Sequence, residues 1–359
     1  MSLPLPKPGI LEIKPYIGGE GRTESIKRPV RLASNENPLG CSPKARDAYL
    51  KVASELHRYP DGAAADLRAA LACEYDMDAN RIVCGSGSDE LITLIVRSYA
   101  GAGDEVIYSE HGFLMYPINA KAVGAMPVAA PEINLRSDIN ALLRAVTPKT
   151  KIMLLANPNN PTGSYLTKTE LRVLREKLPE HVILVIDSAY AEFVEEKDYE
   201  DGRALVNAYP NVIMLRTFSK IHWLAGLRLG WGYFPSDIAD VINRIRTAFN
   251  VSVPAQAAGI AALADKEFIQ KSRVLARDGR AFLREKLQGL GLNVYPSVGN
   301  FILVEFGPKA EDIRLALKDK GIYVRQMGAY NLPHCLRITV GTAEDNEKVV
   351  NEFKNIVKK

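Results

Sequence analysis

The feature that most constrains this fold is an alternation of strand-like and helical patterns between residues 81 and 215. The predicted strands, such as residues 182–186, are short and apolar throughout. Strands of this kind, separated by helices, build a mostly parallel sheet with helices on both faces. The sequence therefore predicts an α/β domain in which ligands bind beyond the carboxyl ends of the strands.

The pattern changes after Pro254. Two long amphipathic helices, residues 255–264 and 267–290, lead into short strands and further helices, which predicts a smaller α+β domain. The Pro- and Gly-rich start predicts an arm. We therefore expect an arm at 1–30, a large α/β domain at 31–254 and a small α+β domain at 255–359. We expect the arm to lie on the body instead of forming a domain of its own, with the small domain as the part that it would join.

Composition argues against several classes of protein. The apolar runs are too short to cross a bilayer, and the start lacks the apolar core of a secretory signal, so we expect a cytoplasmic protein without a membrane segment. The net charge is +4, and the basic run at residues 168–177 alternates with glutamates as a solvated helix face does, so no nucleic-acid partner is expected. Four scattered cysteines predict buried free thiols and no metal site.

One lysine, Lys220, follows the predicted strand at residues 212–215. Thr217 and Ser219 precede it, and Arg228 comes eight positions later, before another apolar run. A lysine on a loop between two buried strands can supply an amine that attacks a carbonyl group. An isolated lysine in a loop is more often a surface residue, so the interpretation depends on the partners below.

Three other motifs follow predicted strands. Residues 85–90, Gly-Ser-Gly-Ser-Asp-Glu, open a helix and predict an anion site, with a plain helix cap by Ser88 or Asp89 as the alternative. Residues 157–163 form a rigid loop, in which Asn157 either makes the turn or donates to a ligand oxygen. Asp187 ends an apolar strand, so its charge needs a partner, either a cationic ring nitrogen or a cap or salt bridge.

In their order along the chain, these motifs resemble the fold-type-I pyridoxal-phosphate aminotransferases of class I and II. The string at residues 157–163 and the segment from Ser219 to Arg228 carry the resemblance. Within that superfamily the chain is most similar to the histidinol-phosphate aminotransferases, through residues 32–40, 58–60, 87–90 and 336–342. The resemblance covers nearly the whole chain.

The resemblance implies pyridoxal 5'-phosphate as the cofactor and three catalytic residues. Lys220 would condense with the cofactor aldehyde and then carry a proton, Asp187 would keep the pyridine nitrogen protonated, and Tyr190 would hold the ring oxygen. The residues implied to bind the cofactor are Gly87, Ser88, Asp89, Phe113, Asn157, Asp187, Tyr190, Thr217, Ser219, Lys220, Arg228 and, from the second subunit of a homodimer, Tyr59.

The resemblance also implies three substrate contacts. Arg337 would bind the carboxylate of glutamate with its planar fork, whereas Tyr16 and Arg325 match positions that contact the substrate phosphate. For Arg325 an ordinary strand-end arginine is the alternative.

The implied reaction is amino transfer between glutamate and imidazole-acetol phosphate, giving 2-oxoglutarate and histidinol phosphate, in histidine biosynthesis. The partners would be a small amino donor and a keto acid. The alternatives are an aromatic amino acid aminotransferase and a pyridoxal-phosphate-dependent threonine-phosphate decarboxylase.

The chain departs from the family after the lysine. At the position of Trp223 the family commonly has a small residue such as glycine. A tryptophan there either narrows the mouth of the site or packs at the seam between the domains. We expect Trp223→Gly to change substrate preference or turnover.

Overall fold

The computed structural model describes residues 5–20 and 28–357. Residues 1–4 and 21–27 of the predicted arm lie outside the described residues.

The strands are β1 (Val30–Leu32), β2 (Ile82–Gly85), β3 (Glu105–Ser109), β4 (Met126–Ala130), β5 (Glu132–Ile133), β6 (Arg136–Ser137), β7 (Thr150–Ala156), β8 (Ile183–Asp187), β9 (Val212–Thr217), β10 (Gly230–Tyr233), β11 (Asn293–Val294), β12 (Phe301–Glu305), β13 (Ile322–Gln326) and β14 (Cys335–Thr339). The α-helices are α1 (Pro43–Lys51), α2 (Ala65–Tyr75), α3 (Ser88–Tyr99), α4 (Met115–Ala122), α5 (Ile139–Arg144), α6 (Lys168–Lys177), α7 (Arg203–Ala208), α8 (Ser236–Ile245), α9 (Val253–Leu263), α10 (Lys266–Gln288), α11 (Ala310–Asp319) and α12 (Ala343–Val357).

The large sheet has seven strands in the order β2-β10-β9-β8-β7-β3-β4. Its strands run parallel except β10, which is antiparallel to both β9 and β2. The predicted mostly parallel α/β sheet is therefore confirmed. β7, β8 and β9 lie side by side at the centre, so the segments that follow them start from one edge of the sheet.

Both faces of the large sheet are buried. Along β8, Leu184 and Ile186 belong to one apolar cluster, whereas Ile183 and Val185 belong to the other. Residues of α2, α6 and α9 complete the first cluster, and residues of α3, α4 and α8 complete the second. Because helices cover each face, the central strands are apolar at every position instead of alternating.

The small sheet has five strands in the order β1-β13-β14-β12-β11. Residues of α10, α11 and α12 pack on it and form its apolar core with the inward side chains of the strands. β1 pairs in parallel with β13, so residues 30–32 lie in the small sheet although they come early in the chain. The division into arm, large and small domain stays a prediction, and this pairing favours joining the start of the chain to the small domain.

Some short elements were not predicted. The β5–β6 hairpin and α7 span too few residues to give a periodic pattern. The helix α8 was also missed, although Ile238, Ala239 and Ile242 form an apolar face that the pattern contains. The expectation of buried thiols is wrong for Cys41 and Cys73, which are exposed. Within residues 5–20 and 28–357, no helix is long and apolar enough to span a membrane.

Candidate functional site

A cavity of about 330 Å³ opens between the two sheets. Ala156, Asp187 and Thr217, the last residues of β7, β8 and β9, form its floor. The remaining lining residues are Tyr16, Gly18, Gly19, Ala33, Ser34, Asn35, Ser88, Asp89, Phe113, Met115, Pro158, Asn160, Ala189, Tyr190, Ser219, Lys220, Ala225, Arg228, Arg325 and Arg337. Its position agrees with the rule that ligands bind beyond the carboxyl ends of parallel strands.

Lys220 is held on a closed loop after β9. The loop begins where the Phe218 N–H donates to the Leu229 carbonyl at 3.0 Å, and the Leu224 N–H returns to the Phe218 carbonyl at 2.9 Å. Within it, the Trp223 N–H donates to the Lys220 carbonyl at 3.2 Å. We call residues 218–224 the lysine loop. Its closure directs the Lys220 amine into the cavity, where Nζ lies 3.5 Å from the Ser34 carbonyl oxygen.

The Asp187 carboxylate is buried at the floor of the cavity and only half satisfied. Its Oδ2 accepts a hydrogen bond of 2.9 Å from the Tyr116 hydroxyl, whereas no described residue donates one of normal geometry to its Oδ1. Burial raises the pKa of Asp187 from 3.8 to about 6, the Tyr116 hydrogen bond opposes the rise, and the charge of Asp89 adds to it. A buried carboxylate with a free acceptor atom is suited to pair with a cationic N–H.

Tyr190 reaches the cavity from the turn after β8. Its hydroxyl accepts a hydrogen bond of 2.8 Å from Asn35 Nδ2, and its ring lies 5.6 Å from Lys220 Nζ. Asn157 does not line the cavity. Its side-chain amide exchanges two hydrogen bonds, of 3.1 and 2.7 Å, with the backbone of Leu166. One N–H of that amide is left over from this pair, and the neighbouring residues of Asn157 on both sides line the cavity.

The start of α3 is an uncapped helix N-terminus. Its first flanking residue, Gly87, has φ of +83° and no side chain caps the helix, so the alternative of a plain cap by Ser88 or Asp89 is wrong. A Cβ atom at Gly87 would lie 2.7 Å from the guanidinium of Arg228, so the absence of a side chain there allows their close approach. Free N–H groups, the helix dipole and the guanidinium together favour an anion.

Two hydroxyl residues complete this anion site. The Ser219 N–H donates to Thr217 Oγ1 at 3.1 Å, and Arg228 Nη1 lies 3.5 Å from Ser219 Oγ. Arg228 Nη2 also donates to the carboxylate of Asp89 at 3.3 Å. Burial raises the pKa of the Asp89 carboxyl, and the charge of Arg228 opposes that rise.

Arg325 and Arg337 face the large sheet from neighbouring strands. They are directly paired across β13 and β14, where like charges repel, so an anion placed between them is favoured. Arg337 is buried and donates to the Ala33 carbonyl at 2.7 Å and to Asn160 Oδ1, while its Nε has no partner within the described part of the chain. Burial lowers the pKa of the Arg337 guanidinium.

The described part of the arm contributes to the same end of the cavity. Tyr16 lies under the Arg325 guanidinium, with 5.7 Å between the guanidinium carbon and the ring centroid. Arg325 Nη2 donates to the Ile17 carbonyl at 2.6 Å. Arg325 therefore lines the cavity and also fastens residues 16–17 to β13 of the small sheet, while the arm at residues 1–30 stays a prediction.

Two predicted aromatic residues have different positions. Phe113 lines the cavity and meets Tyr116 edge to face, with ring centroids 5.9 Å apart. Tyr59 lies outside the cavity, is 82% exposed, and stacks on Phe249 at 4.6 Å. Its predicted role across a dimer therefore stays a prediction.

Sequence reasoning missed several residues that orient the site. Tyr116 looked like an ordinary apolar helix position, although its hydroxyl holds Asp187. Asn35 and Asn160 lie in motifs that carried the resemblance, but their contacts with Tyr190 and Arg337 could not be read from spacing. The Ser34 carbonyl, which meets Lys220, belongs to the same early segment.

The cavity carries more positive than negative charge. Lys220, Arg228, Arg325 and Arg337 line it together with the carboxylates Asp89 and Asp187. The three arginines divide between the start of α3, where Arg228 lies, and the small sheet, which carries Arg325 and Arg337, so the cavity is suited to a molecule with anionic groups at two separated places.

Comparisons with known proteins agree with this geometry. Residues 27–353 match the family model described as "Aminotransferase class I and II". Over 361 residues the chain is 53% identical to a histidinol-phosphate aminotransferase of Rhodospirillum centenum, covering 100% of both chains. It is also 53% identical to a histidinol-phosphate aminotransferase of Paramagnetospirillum magneticum, covering 99% of each.

Solved structures give the same result. The structure of histidinol-phosphate aminotransferase from Sinorhizobium meliloti in complex with pyridoxal-5'-phosphate has a TM-score of 0.87 and 30% identity to this chain, over 92% of this chain and 91% of that one. The family match, the full-length relatives and the shared fold lead to one conclusion: the chain belongs to the class I and II aminotransferases.

Proposed function

We propose that this protein transfers an amino group between glutamate and imidazole-acetol phosphate, forming 2-oxoglutarate and histidinol phosphate, with pyridoxal 5'-phosphate as cofactor. This is a reaction of histidine biosynthesis. The observation that carries the proposal is the division of the cavity: Lys220 and Asp187 come from the large sheet, and a pair of arginines faces them from the small sheet. The names of the full-length relatives support the same substrate.

The cavity residues fit the cofactor by one direct test. The buried Oδ1 of Asp187 accepts no hydrogen bond of normal geometry from the described residues, and the protonated ring nitrogen of pyridoxal phosphate is a donor of the required charge. When bound, the cofactor supplies an electron sink that stabilises negative charge at the substrate Cα. Asp187 would hold the ring proton, and Tyr116 keeps the carboxylate oriented by donating to its other oxygen.

Other residues of the chain would orient the cofactor. The phosphate would be held at Gly87, Ser88 and Asp89 at the start of α3, with Thr217, Ser219 and Arg228. Phe113 would lie against the ring. The Tyr190 hydroxyl and the remaining N–H of the Asn157 amide would hold the ring oxygen. The Asn35 donor fixes where the Tyr190 hydroxyl can lie, so Tyr190 enters the site already oriented.

Lys220 is the proposed acid–base residue. Its amine lies in the cavity beside the Ser34 carbonyl and the face of Tyr190. The Lys220 amine would take the proton from the substrate Cα and return it on the cofactor side. The closed lysine loop limits the positions that the amine can reach, which favours one face of the substrate.

The two arginines of the small sheet would select the substrate. The guanidinium of Arg337 is fixed by one backbone acceptor, the Ala33 carbonyl, and one side-chain acceptor, Asn160 Oδ1. Its Nε–H has no partner among the described residues, so its planar fork is preoriented for a carboxylate or phosphate. Arg325 and Tyr16 would contact the phosphate at the cavity mouth. The carboxylate of an aromatic amino acid could pair with Arg337, but its neutral side chain would leave Arg325 without a counter-charge. The phosphate of histidinol phosphate would supply that counter-charge, and for this reason we favour it over the aromatic amino acids.

We propose that the active form is a cytoplasmic homodimer. Tyr59 and Phe249 form an exposed stacked pair outside the cavity, and exposed aromatic side chains are typical of subunit interfaces. Tyr59 would reach the cofactor phosphate of the second subunit. The four cysteines are free thiols, as is usual in a reducing compartment.

A spectrum of the purified protein with pyridoxal phosphate tests the reaction class. We expect a visible absorbance band that disappears on addition of glutamate and returns on addition of 2-oxoglutarate, and no such band in Lys220→Ala. Parallel assays with histidinol phosphate, tyrosine, phenylalanine and threonine phosphate test the substrate. Carbon dioxide release from threonine phosphate, or equal rates with the aromatic amino acids, would contradict the proposal.

A further inference from the structure

Trp223 occupies a backbone conformation that tryptophan rarely adopts. Its φ is +58°, in the left-handed region that favours glycine, and it lies three residues after Lys220. The side chain is 8% exposed, so the indole is directed into the protein. A bulky residue persists in such a conformation only where its surroundings hold it.

The indole is held by the long helix α10. Its Nε1–H donates a hydrogen bond of 2.8 Å to Ser272 Oγ, and Ser272 is fully buried on that helix. The indole also packs edge to face on Phe193, with ring centroids 6.1 Å apart. The tryptophan therefore packs at the seam between the lysine loop and α10, and it does not line the cavity that contains Lys220.

Ser272 also accepts a hydrogen bond from a second loop that lines the cavity. Asn37 Nδ2 donates to the same Ser272 oxygen at 3.1 Å. Asn37 follows Ser34 and Asn35, which contact Lys220 and Tyr190 in the cavity. Ser272 thus joins two loops that line the cavity to one helix that packs on the small sheet.

We propose that Trp223 is a positioning residue, which couples the place of the Lys220 amine in the cavity to helix α10 through Ser272. The coupling is short, because the Trp223 N–H holds the Lys220 carbonyl at 3.2 Å while the indole of the same residue holds α10. Movement of α10 relative to the large sheet therefore moves the lysine. This inference rests on the proposed function for its catalytic consequence, but the coupling itself belongs to the chain alone.

Two variants remove the hydrogen bond between the Trp223 indole and Ser272, one at the donor and one at the acceptor. Trp223→Phe keeps a ring and deletes the donor, whereas Ser272→Ala deletes the acceptor and leaves the lysine loop unchanged in sequence. His222→Phe is the matched control, because His222 is buried in the same loop and has no hydrogen-bond partner among the described residues. Trp223→Gly removes both the indole anchor and the energetic cost of the left-handed backbone conformation, which glycine adopts readily.

Hydrogen–deuterium exchange on the cofactor-free protein measures the coupling directly. In Trp223→Phe and in Ser272→Ala, we expect the amides of residues 219–224 to exchange about threefold to tenfold faster, as for loss of one neutral hydrogen bond. Because Ser272→Ala also frees Asn37, the double variant is compared with Ser272→Ala alone. Adding Trp223→Phe to Ser272→Ala should then change exchange less than it does in the wild type.

The loaded enzyme gives a second readout. We expect Trp223→Phe and Trp223→Gly to shift the pH midpoint of the visible absorbance band and to lower kcat by about tenfold with little change in KM, since a displaced lysine slows proton transfer without weakening substrate binding. His222→Phe should leave the midpoint unchanged.

The outcomes separate this inference from the proposed function. A wild-type protein without a visible band or transamination would refute the function and leave the exchange measurement to judge the coupling. Unchanged exchange at residues 219–224 in both single variants, or full additivity in the double variant, would overturn the positioning role of Trp223. Faster turnover in Trp223→Gly would also overturn it, because the residue would then contribute only an unfavourable conformation.

Discussion

The half-satisfied carboxylate of Asp187 makes a prediction that needs no substrate. In the protein freed of cofactor, we expect Asp187→Asn to increase stability relative to the wild type as the pH rises. The reason is that the wild-type protein buries a carboxylate whose Oδ1 accepts no hydrogen bond of normal geometry from the described residues, whereas asparagine carries no charge to bury. Without a cation beside it, the buried carboxylate destabilises the folded protein.

The sign and size follow from the pKa of Asp187. Its folded-state pKa is raised from 3.8 to about 6, so the folded protein binds this proton more tightly than the unfolded chain does. The tighter binding of this proton stabilises the folded wild type fully below pH 3.8, and this stabilisation is lost as the pH rises through about 6. At about 1.4 kcal/mol per pKa unit, the loss amounts to roughly 3 kcal/mol. Because Asp187 is 6% exposed, water screens little of this cost.

Urea unfolding of both cofactor-free proteins at several pH values measures the effect. The difference in free energy of unfolding, variant minus wild type, should grow between about pH 4 and pH 7 and then stay level. Tyr116→Phe removes the hydrogen bond that lowers the pKa of Asp187. When Asp187→Asn is added to Tyr116→Phe, the gain in free energy of unfolding should therefore keep growing to a higher pH. Added pyridoxal phosphate should stabilise the wild type more than Asp187→Asn.

Parallel profiles for the wild type and Asp187→Asn across this range would refute the reasoning. They would mean that the carboxylate is solvated or paired in the folded protein, and the argument for a cationic ring at Oδ1 would fail with it.

Two further predictions concern the substrate and the dimer. Arg337→Lys keeps the charge but loses the planar fork that is fixed on Ala33 and Asn160. In steady-state kinetics, KM for glutamate should therefore rise about tenfold to a hundredfold, with a smaller change in kcat. An unchanged KM would contradict carboxylate binding at this residue. Mixing Lys220→Ala subunits with Tyr59→Ala subunits should restore about a quarter of wild-type activity, because half of the random dimers are mixed and each has one intact site. No restoration would show that Tyr59 does not act across the interface.

The residues that sequence reasoning found share a local signal. Asp187, Thr217 and Lys220 each come at or just after the end of an apolar strand, and the carboxyl ends of parallel strands meet at one edge. The central sheet was predicted for the same reason, since short apolar runs that alternate with helical patterns are typical of buried parallel strands. Local order in the chain was enough to bring these residues together.

The residues that were missed depend on distant parts of the chain. Tyr116 and Asp187 are 71 residues apart, and nothing near Tyr116 in the sequence distinguishes it from a core aromatic residue of a helix. Asn35 and Tyr190 are 155 residues apart, and they meet only because β1 lies in the small sheet. The left-handed backbone at Trp223 was likewise not predicted, because the serine that holds its indole lies on a helix that begins more than 40 residues later.

The parallel pairing of β1 with β13 has a consequence for biosynthesis. Residues 30–32 leave the ribosome early, but their partner at residues 322–326 leaves it near the end. The large sheet and the helices that cover it are complete once Leu263, the last residue of α9, has been made, so this part can fold before β13 exists. The segment that brings Ser34 and Asn35 to the cavity therefore pairs with its neighbouring strand late. The cavity of a chain under synthesis is complete only near the end of translation.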